Sequence, residues 1–561
     1  MSTQPGCLDQ IGTRDHAVTS EYRIFGPPGT GKTTSLSRQV LRAVERFGPD
    51  SVLVTSFSRA AAAELAGRDL PISPDRIGTL HSHCWHALGG PEIAETHVEE
   101  WNRNHPELAI TAKRRHGALD GEESAGDDEQ RDKRGDELLE GLSRHRGLMM
   151  PRVMWPEALV QFEKLWTAYK QENDLLDFTD LIETCLRDIA LAPRSPSVIF
   201  ADEAQDLNRM QLTLVRKWGE RAEFFVVAGD DDQTIYTFTG ATPDAMLDPE
   251  IPSDHKIILK ESYRVPRTVH AFAENLIKRV TRRQPKEYLL RPQDGALERF
   301  SRDGYLRPEY AILKTANEHL GRGQTVMFLA SCAYMLQPLV AVLRKNGIPY
   351  HNPYRRANGY WNPLRLNKRT STAGRILSLL VAHPEFGDAH RPWTNGDVAN
   401  WAECLQADGV LRRGKKSMLK SAAVPETAKL EYLDEMFEPP ALDSLMQAWQ
   451  RGYRDLLEWW QLRLTKEMRE RSKFPVLVAQ KQGPAALGEE PGVIVGTIHS
   501  VKGGQADVVY LFPDLSQAGD AQYRRDGAPR DSVIRQFYVG ATRAREKLYL
   551  CQRESSLAVA L

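Results

Sequence analysis

None of the six cysteines (Cys7, Cys84, Cys185, Cys332, Cys404 and Cys551) belongs to a CxxC pair. A disulfide framework and a zinc or iron–sulfur cluster are therefore not expected, and the thiols read as reduced and structural. Excess charge of either sign is missing too. The 74 Lys and Arg against 75 Asp and Glu leave a formal charge of −1, so a polyanion would have to be held by a local groove rather than by the overall field. No apolar run is long enough to cross a bilayer, and the N-terminus lacks the charged, apolar, small-residue order of an export signal. The cytoplasm is the expected location. With 41% hydrophobic and 27% charged residues, the composition excludes the disordered and fibrous classes. The 561 residues exceed one ordinary core and suggest three or four domains or subdomains.

What is present is a strand pattern in two blocks. Short runs rich in Val, Ile and Phe occur at 21–25, 51–56, 197–200, 223–229 and 256–259. Most are followed by helix-like segments, as in the buried strands of a parallel α/β sheet. A second block starts at 324–329 and resumes at 493–497, 508–512 and 547–551. Between 89 and 177 the strand signal vanishes. Residues 120–134 read there as a solvated or disordered excursion. The helix expected over 156–173 carries Leu159, Phe162, Trp166 and Tyr169 on one face, with Pro156 in its first turn. The segment 353–491 reads as helical, for example over 442–463, and shows no internal repeat. The expected class is α/β, with two P-loop motor domains built on parallel sheets, each carrying a mainly helical insert. Their expected bounds are 1–88 with 178–265, insert 89–177, 266–352 with 492–561, and insert 353–491.

Gly26-Pro27-Pro28-Gly29-Thr30-Gly31-Lys32-Thr33 fits GxxxxGK[ST] between a strand and a helix-like run at 35–47. In that context, backbone N–H groups from Gly26 to Thr34 wrap phosphate oxygens. Lys32 reaches the β- and γ-phosphates, and the Thr33 hydroxyl ligates Mg²⁺. Asp202 and Glu203 follow another strand. They suit Mg²⁺ binding through water and polarisation of the attacking water, respectively. Alone, the pair would serve equally as a helix N-cap. Asp230-Asp231-Asp232-Gln233 ends a third strand. Like charges repel, so this run belongs at a surface or beside a metal or a cation; read in isolation it is a solvated turn. Gln233 is suited to sense the γ-phosphate or the water.

With the P-loop, the segments 55–62 (TSFSRAAA), 78–82 (GTLHS), 177–181 (DFTDL), 202–206 (DEAQD), 229–233 (GDDDQ), Tyr263-Arg264, 497–503 (TIHSVKG) and 538–544 (YVGATRA) form a series. It resembles the UvrD/Rep/PcrA family of superfamily 1 helicases, in the family's order from Gly26 to Ala544. The resemblance implies two RecA-like domains with ATP in the cleft. Lys32, Thr33, Asp202, Glu203 and Gln233 would come from the first domain and Arg264 and Arg543 from the second. Outside its motif, either arginine reads as a surface charge. The resemblance also implies a single strand running over both domains. Phe57, Tyr236 and Phe238 would offer faces to bases, and Ser58, Arg59, Thr79, His81, His499 and Lys502 would meet the backbone. For Phe57 a core position is the alternative.

The chain departs from the family at several points. Its P-loop contains two prolines. Phe238-Thr239 stands for the usual Trp-Arg, and Lys502-Gly503-Gly504-Gln505 for Lys-Gly-Leu-Glu. The last motif keeps Arg535 but places Gln536 and Phe537 before its tyrosine. An adenine-reading glutamine upstream of the P-loop would be Gln10 or Gln4. The expected function is an ATP- and Mg²⁺-dependent DNA helicase moving 3′ to 5′ on single strands and at junctions, with a replication or repair partner. Shorter inserts than in housekeeping members suggest a bacterial or phage-encoded, plasmid or defence enzyme. One rival is a translocase that strips proteins or powers a nuclease partner without unwinding alone. The other is a nucleotide-gated module that no longer hydrolyses productively. A nuclease site and a further metal site are not expected.

Overall fold

Short runs rich in β-branched and aromatic residues form most strands of the two sheets in the computed structural model, which describes residues 21–112, 134–355, 359–366, 368–419 and 426–561. Cys7, Gln4, Gln10 and residues 120–133 of the charged stretch lie outside the described residues. Strands β1 (Glu21–Phe25), β2 (Val52–Ser56), β3 (Ile77–Thr79), β4 (Val198–Asp202), β5 (Phe224–Gly229) and β6 (Lys256–Ile258) form one sheet. Their order is β3-β2-β4-β5-β1-β6, and all neighbours run parallel. Alternate residues feed two cores. Ile24, Val54, Phe200 and Val226 face the helix Lys32–Phe47 with Leu36 and Val40, whereas Phe25, Leu53, Ile199 and Val227 face Leu181, Leu214 and Trp218. Each fully buried aliphatic chain contributes roughly 1.5–3 kcal/mol of transfer free energy. Strand β3 escaped the sequence reading because three residues, one of them glycine, give no periodicity.

Register is what places the chemistry. Phe25 pairs with Gly229, and Ser56 pairs with both Asp202 and Thr79. The motifs that follow these strands therefore emerge along one carboxyl edge, where open α/β sheets bind ligands.

The second sheet contains β7 (Ala296–Arg299), β8 (Val326–Ala330), β9 (Val493–Thr497), β10 (Ala506–Leu511) and β11 (Ala544–Leu550), in the order β7-β11-β10-β8-β9. β8 runs parallel to both β9 and β10. Phe328, Tyr510 and Tyr549 stack through its core, with centroids 4.8 and 4.6 Å apart. The chain is thus α/β with two sheets and many helices, as the RecA-like expectation requires. It divides into two compact units. One comprises Met1–Leu297, Leu515–Leu548 and Leu557–Leu561, the other Glu298–Asp514 and Tyr549–Ser556.

The helical stretches follow their apolar stripes. Leu159, Phe162, Trp166 and Tyr169 are all buried in the helix Glu157–Glu172, with Trp101 and Leu139. Pro156 occupies the N-cap position rather than the first turn. The continuous helix expected over 442–463 is two, Pro439–Arg451 and Tyr453–Leu462, because Gly452 at φ 133° breaks the hydrogen-bond ladder. Trp459 and Trp460 are buried in a core built from residues 364–487.

Candidate nucleotide-binding site

The loop after β1 turns tightly enough to need glycine. Gly29 and Gly31 have φ of 75° and 69°, in the left-handed region. A Cβ on Gly29 would lie 2.3 Å from the Cβ of Arg264. That close approach is fastened by two hydrogen bonds: the Tyr263 N–H donates to the Gly29 carbonyl at 2.8 Å and the Ser262 hydroxyl to the Pro28 carbonyl at 2.8 Å. Thr30 Oγ1 donates to the Pro27 carbonyl at 2.8 Å, which stiffens the proline-containing turn. Gly31 then caps the helix that begins at Lys32, so Lys32, Thr33 and Thr34 form its first turn. Thr34 Oγ1 accepts from Arg68 at 2.9 Å.

Lys32 Nζ lies 2.5 Å from Glu203 Oε1 and 3.7 Å from Asp202 Oδ1. Burial works against the ammonium, but Glu203 and Asp202 outweigh it and raise the Lys32 pKa above the ordinary lysine value. The Asp202 carboxyl is pushed up to about 6 by burial, against the pull of Lys32. Glu203 stands at φ 53°, an uncommon conformation for a non-glycine residue. Although it precedes a one-turn helix, its side chain makes no capping bond. It accepts instead from Lys32 and from the Gln205 amide, which sets aside the helix-cap alternative for this acid pair.

Asp202 Oδ1 is buried and has no hydrogen-bond partner among the described residues. A carboxylate oxygen so placed, beside the P-loop lysine, fits a hard cation held by few protein oxygens, as Mg²⁺ is. Asp202 would hold such an ion, with Thr33, half-buried in the first helical turn, as the other protein oxygen.

The Asp230–Asp232 run lies beside cations, one of the two expected settings, and not in the solvated turn that it suggests in isolation. All three side chains are buried. Lys286 Nζ lies 3.0, 2.6 and 2.8 Å from Asp230, Asp231 and Asp232. Arg283 donates twice to Asp232, at 2.9 and 2.6 Å. The cation that three adjacent carboxylates require is therefore this pair, which the sequence reading did not name. The basic run 282–286 was the available signal. Gln233 Nε2 donates to Asp230 Oδ2 at 2.7 Å, and Arg543 donates to Gln233 Oε1 at 3.2 Å. Arg543 is buried rather than a surface charge and also donates to the Val539 carbonyl at 2.9 Å. Lys32, Asp202, Glu203, Gln233, Arg264 and Arg543 thus share one compact unit.

The residues expected at a nucleic acid divide by their surroundings. Phe57 and Tyr236 stack at 5.6 Å and 29°, and Tyr236 meets Phe238 edge-on at 5.9 Å. All three are half-buried, and Phe57 also packs on the core beneath. Ser58 and Thr79 use their hydroxyls as helix caps, accepting from the Ala61 and Ser82 N–H groups at 3.2 Å. Thr79 is buried. Arg59 opens the helix Ser58 caps, and His81 lies edge-on to Phe178 at 6.2 Å. His499 and Lys502 belong to the other unit, half-buried just after β9. There, the departure at Gly504 sits against a ring. A Cβ at Gly504 would meet the far end of the Tyr354 ring at 2.4 Å, so the leucine of the family pattern would require that partly exposed side chain to move.

The family model described as the UvrD/REP helicase N-terminal domain matches residues 12–251, and that of the UvrD-like helicase C-terminal domain matches residues 492–551. Among curated relatives, the putative ATP-dependent DNA helicase YjcD of Bacillus subtilis is 23% identical over 283 residues, covering 47% of this chain and 37% of that protein. The ATP-dependent DNA helicase PcrA of Bacillus subtilis is 26% identical over 320 residues, 48% of this chain and 39% of its own. A probable DNA helicase II homolog of Mycoplasma pneumoniae is 25% identical, over 45% and 39%. The chain thus spans about two fifths of the length of these relatives. Matched at both ends by the family's two domains, and carrying the P-loop and acid pair on one sheet edge, the chain belongs to the UvrD/REP family of helicases.

Proposed function

We propose that this chain hydrolyses ATP to move along single-stranded DNA and unwind duplex, as a helicase of 3′ to 5′ polarity. The observation that carries the reading is the meeting of Lys32, which follows the loop after β1, with Asp202 and Glu203, at the end of β4 on the same sheet, with Gln233 held against Arg543. Lys32 binds the β- and γ-phosphates, Glu203 polarises the water, and Arg264 and Arg543 stabilise charge developing on the transferred phosphoryl group. Mg²⁺, when bound through Asp202 and Thr33, neutralises charge on the phosphate oxygens. The glycine turn from Gly26 to Thr34 offers its N–H groups to the same phosphates.

Phe57, Tyr236 and Phe238 supply stacking faces worth roughly 1–3 kcal/mol per base, a contact that tolerates any sequence. Arg59, His81, His499 and Lys502 meet the backbone. Ser58 and Thr79 act indirectly, by fixing the helices that present Arg59 and His81. The test is ATP hydrolysis with and without single-stranded DNA, followed by strand displacement on substrates with 3′ or 5′ tails. Strong stimulation by DNA and displacement only from a 3′ tail support the reading. Stimulation without displacement from either tail would leave a translocase, and no stimulated hydrolysis would overturn the motor.

A further inference from the structure

The motor reading leaves unused an enclosed ion cluster of its unit. The Lys286 side chain is 2% exposed and touches three carboxylates. Arg283 takes both oxygens of Asp232, and the Gln284 N–H donates to Asp231 Oδ2 at 2.8 Å. Residues 283–286 thus close over the end of β5.

Directly beyond this seal is a group whose orientation matters. The Gln233 amide has one donor end and one acceptor end of nearly equal shape, so its neighbours decide which way it faces. Gln233 Nε2 donates to Asp230 Oδ2 while Gln233 Oε1 accepts from Arg543, a donor-only group, so the amide is held between the two. Lys286 Nζ lies 3.0 Å from Asp230 Oδ1, the other oxygen of the carboxylate that holds Gln233.

We propose that Lys286 is a positioning residue for ATP hydrolysis: by its direct contact with Asp230 it holds that carboxylate in place, and through it Gln233 with its carbonyl toward Arg543. The inference rests on the reading of Gln233 and Arg543 as groups that meet the γ-phosphate. A purely structural cluster would only fasten residues 283–286 to β5, and would change stability without acting through Gln233.

A double-mutant cycle in kcat separates these roles. The charge-balanced pair Asp231→Asn with Lys286→Met keeps the net charge of the cluster, and Asp230→Asn keeps Lys286 itself. Each is measured alone and with Gln233→Ala, in the presence of single-stranded DNA, alongside thermal unfolding. The expected result is a kcat at least tenfold below wild type with the KM for ATP within threefold, and no more than a further twofold loss when Gln233→Ala is added. A kcat within twofold of wild type in either folded variant, or losses that multiply with Gln233→Ala, would overturn the proposal. If the charge-balanced pair does not fold, Asp230→Asn alone decides. Hydrolysis absent from the wild type would overturn the motor reading itself, whereas hydrolysis present there and unchanged in the variants would overturn only the role of Lys286.

Discussion

Two lysines meet carboxylates at the ends of adjacent strands, and the structure treats them oppositely. Beyond β4, the Lys32 side chain is 12% exposed and its nearer partner, Glu203, is 26% exposed. Asp202 Oδ1 there is buried without a hydrogen bond. Beyond β5, Lys286 is sealed among three carboxylates, with Arg283 completing the set. The first constellation holds charges that a phosphate and a cation can rearrange; in the second, every carboxylate already meets a lysine or arginine of the chain. Carboxylates beside a lysine therefore do not by themselves mark a site. What separates site from scaffold is whether the chain has already answered every charge.

The contrast predicts different failures. Lys286→Met leaves buried carboxylates without their cation and is expected to cost about 3–5 kcal/mol of stability, read as a shift in the urea midpoint at constant slope. Glu203→Gln removes the group that polarises water, so DNA-stimulated kcat should fall about a hundredfold or more. Its unfolding midpoint should stay close to wild type, since Glu203 is partly exposed.

A smaller effect extends the contrast to the other unit. Gly504→Leu forces a side chain against the Tyr354 ring and should cost about 1–3 kcal/mol. Adding Tyr354→Ala should recover most of that loss, and no recovery would show that the ring is not the obstacle.

The smallest effect concerns a group sealed in its neutral form. His83 is buried, donates to the Val54 carbonyl at 3.0 Å, and is pushed down to about 4 by burial. Its folded pKa lies below the ordinary 6.5, so the unfolded chain takes the proton first. The stabilisation is present above pH 6.5 and is lost as pH falls toward 4. Between pH 7.5 and 5.5 the share of His83 is about 1 kcal/mol, and the pH dependence of unfolding should be flatter by that amount in His83→Gln.

Much of this arrangement is legible in the sequence because it is local. Val, Ile and Phe runs give the long strands, and glycine spacing with the following lysine gives the phosphate loop. The stripe from Leu159 to Tyr169 gives its helix. What is not legible depends on partners far apart in the chain or on elements too short to show a period. Lys286 lies more than fifty residues beyond the carboxylates it neutralises, and only the fold brings it back. Strand β7, half exposed, has no apolar run to announce it. Thr79 reads as a polar residue available to a ligand, yet register with Ser56 buries it and its hydroxyl goes to a helix cap. Gly504 reads only as a departure from the family pattern, since the Tyr354 ring that a side chain there would meet lies 150 residues away in the chain.

The most direct test of the contrast places Lys32→Met beside Lys286→Met and measures urea unfolding for both. The account predicts that Lys32→Met abolishes ATP hydrolysis and loses less stability than Lys286→Met, whose substitution leaves three buried carboxylates without their lysine. Equal destabilisation by the two substitutions would contradict it.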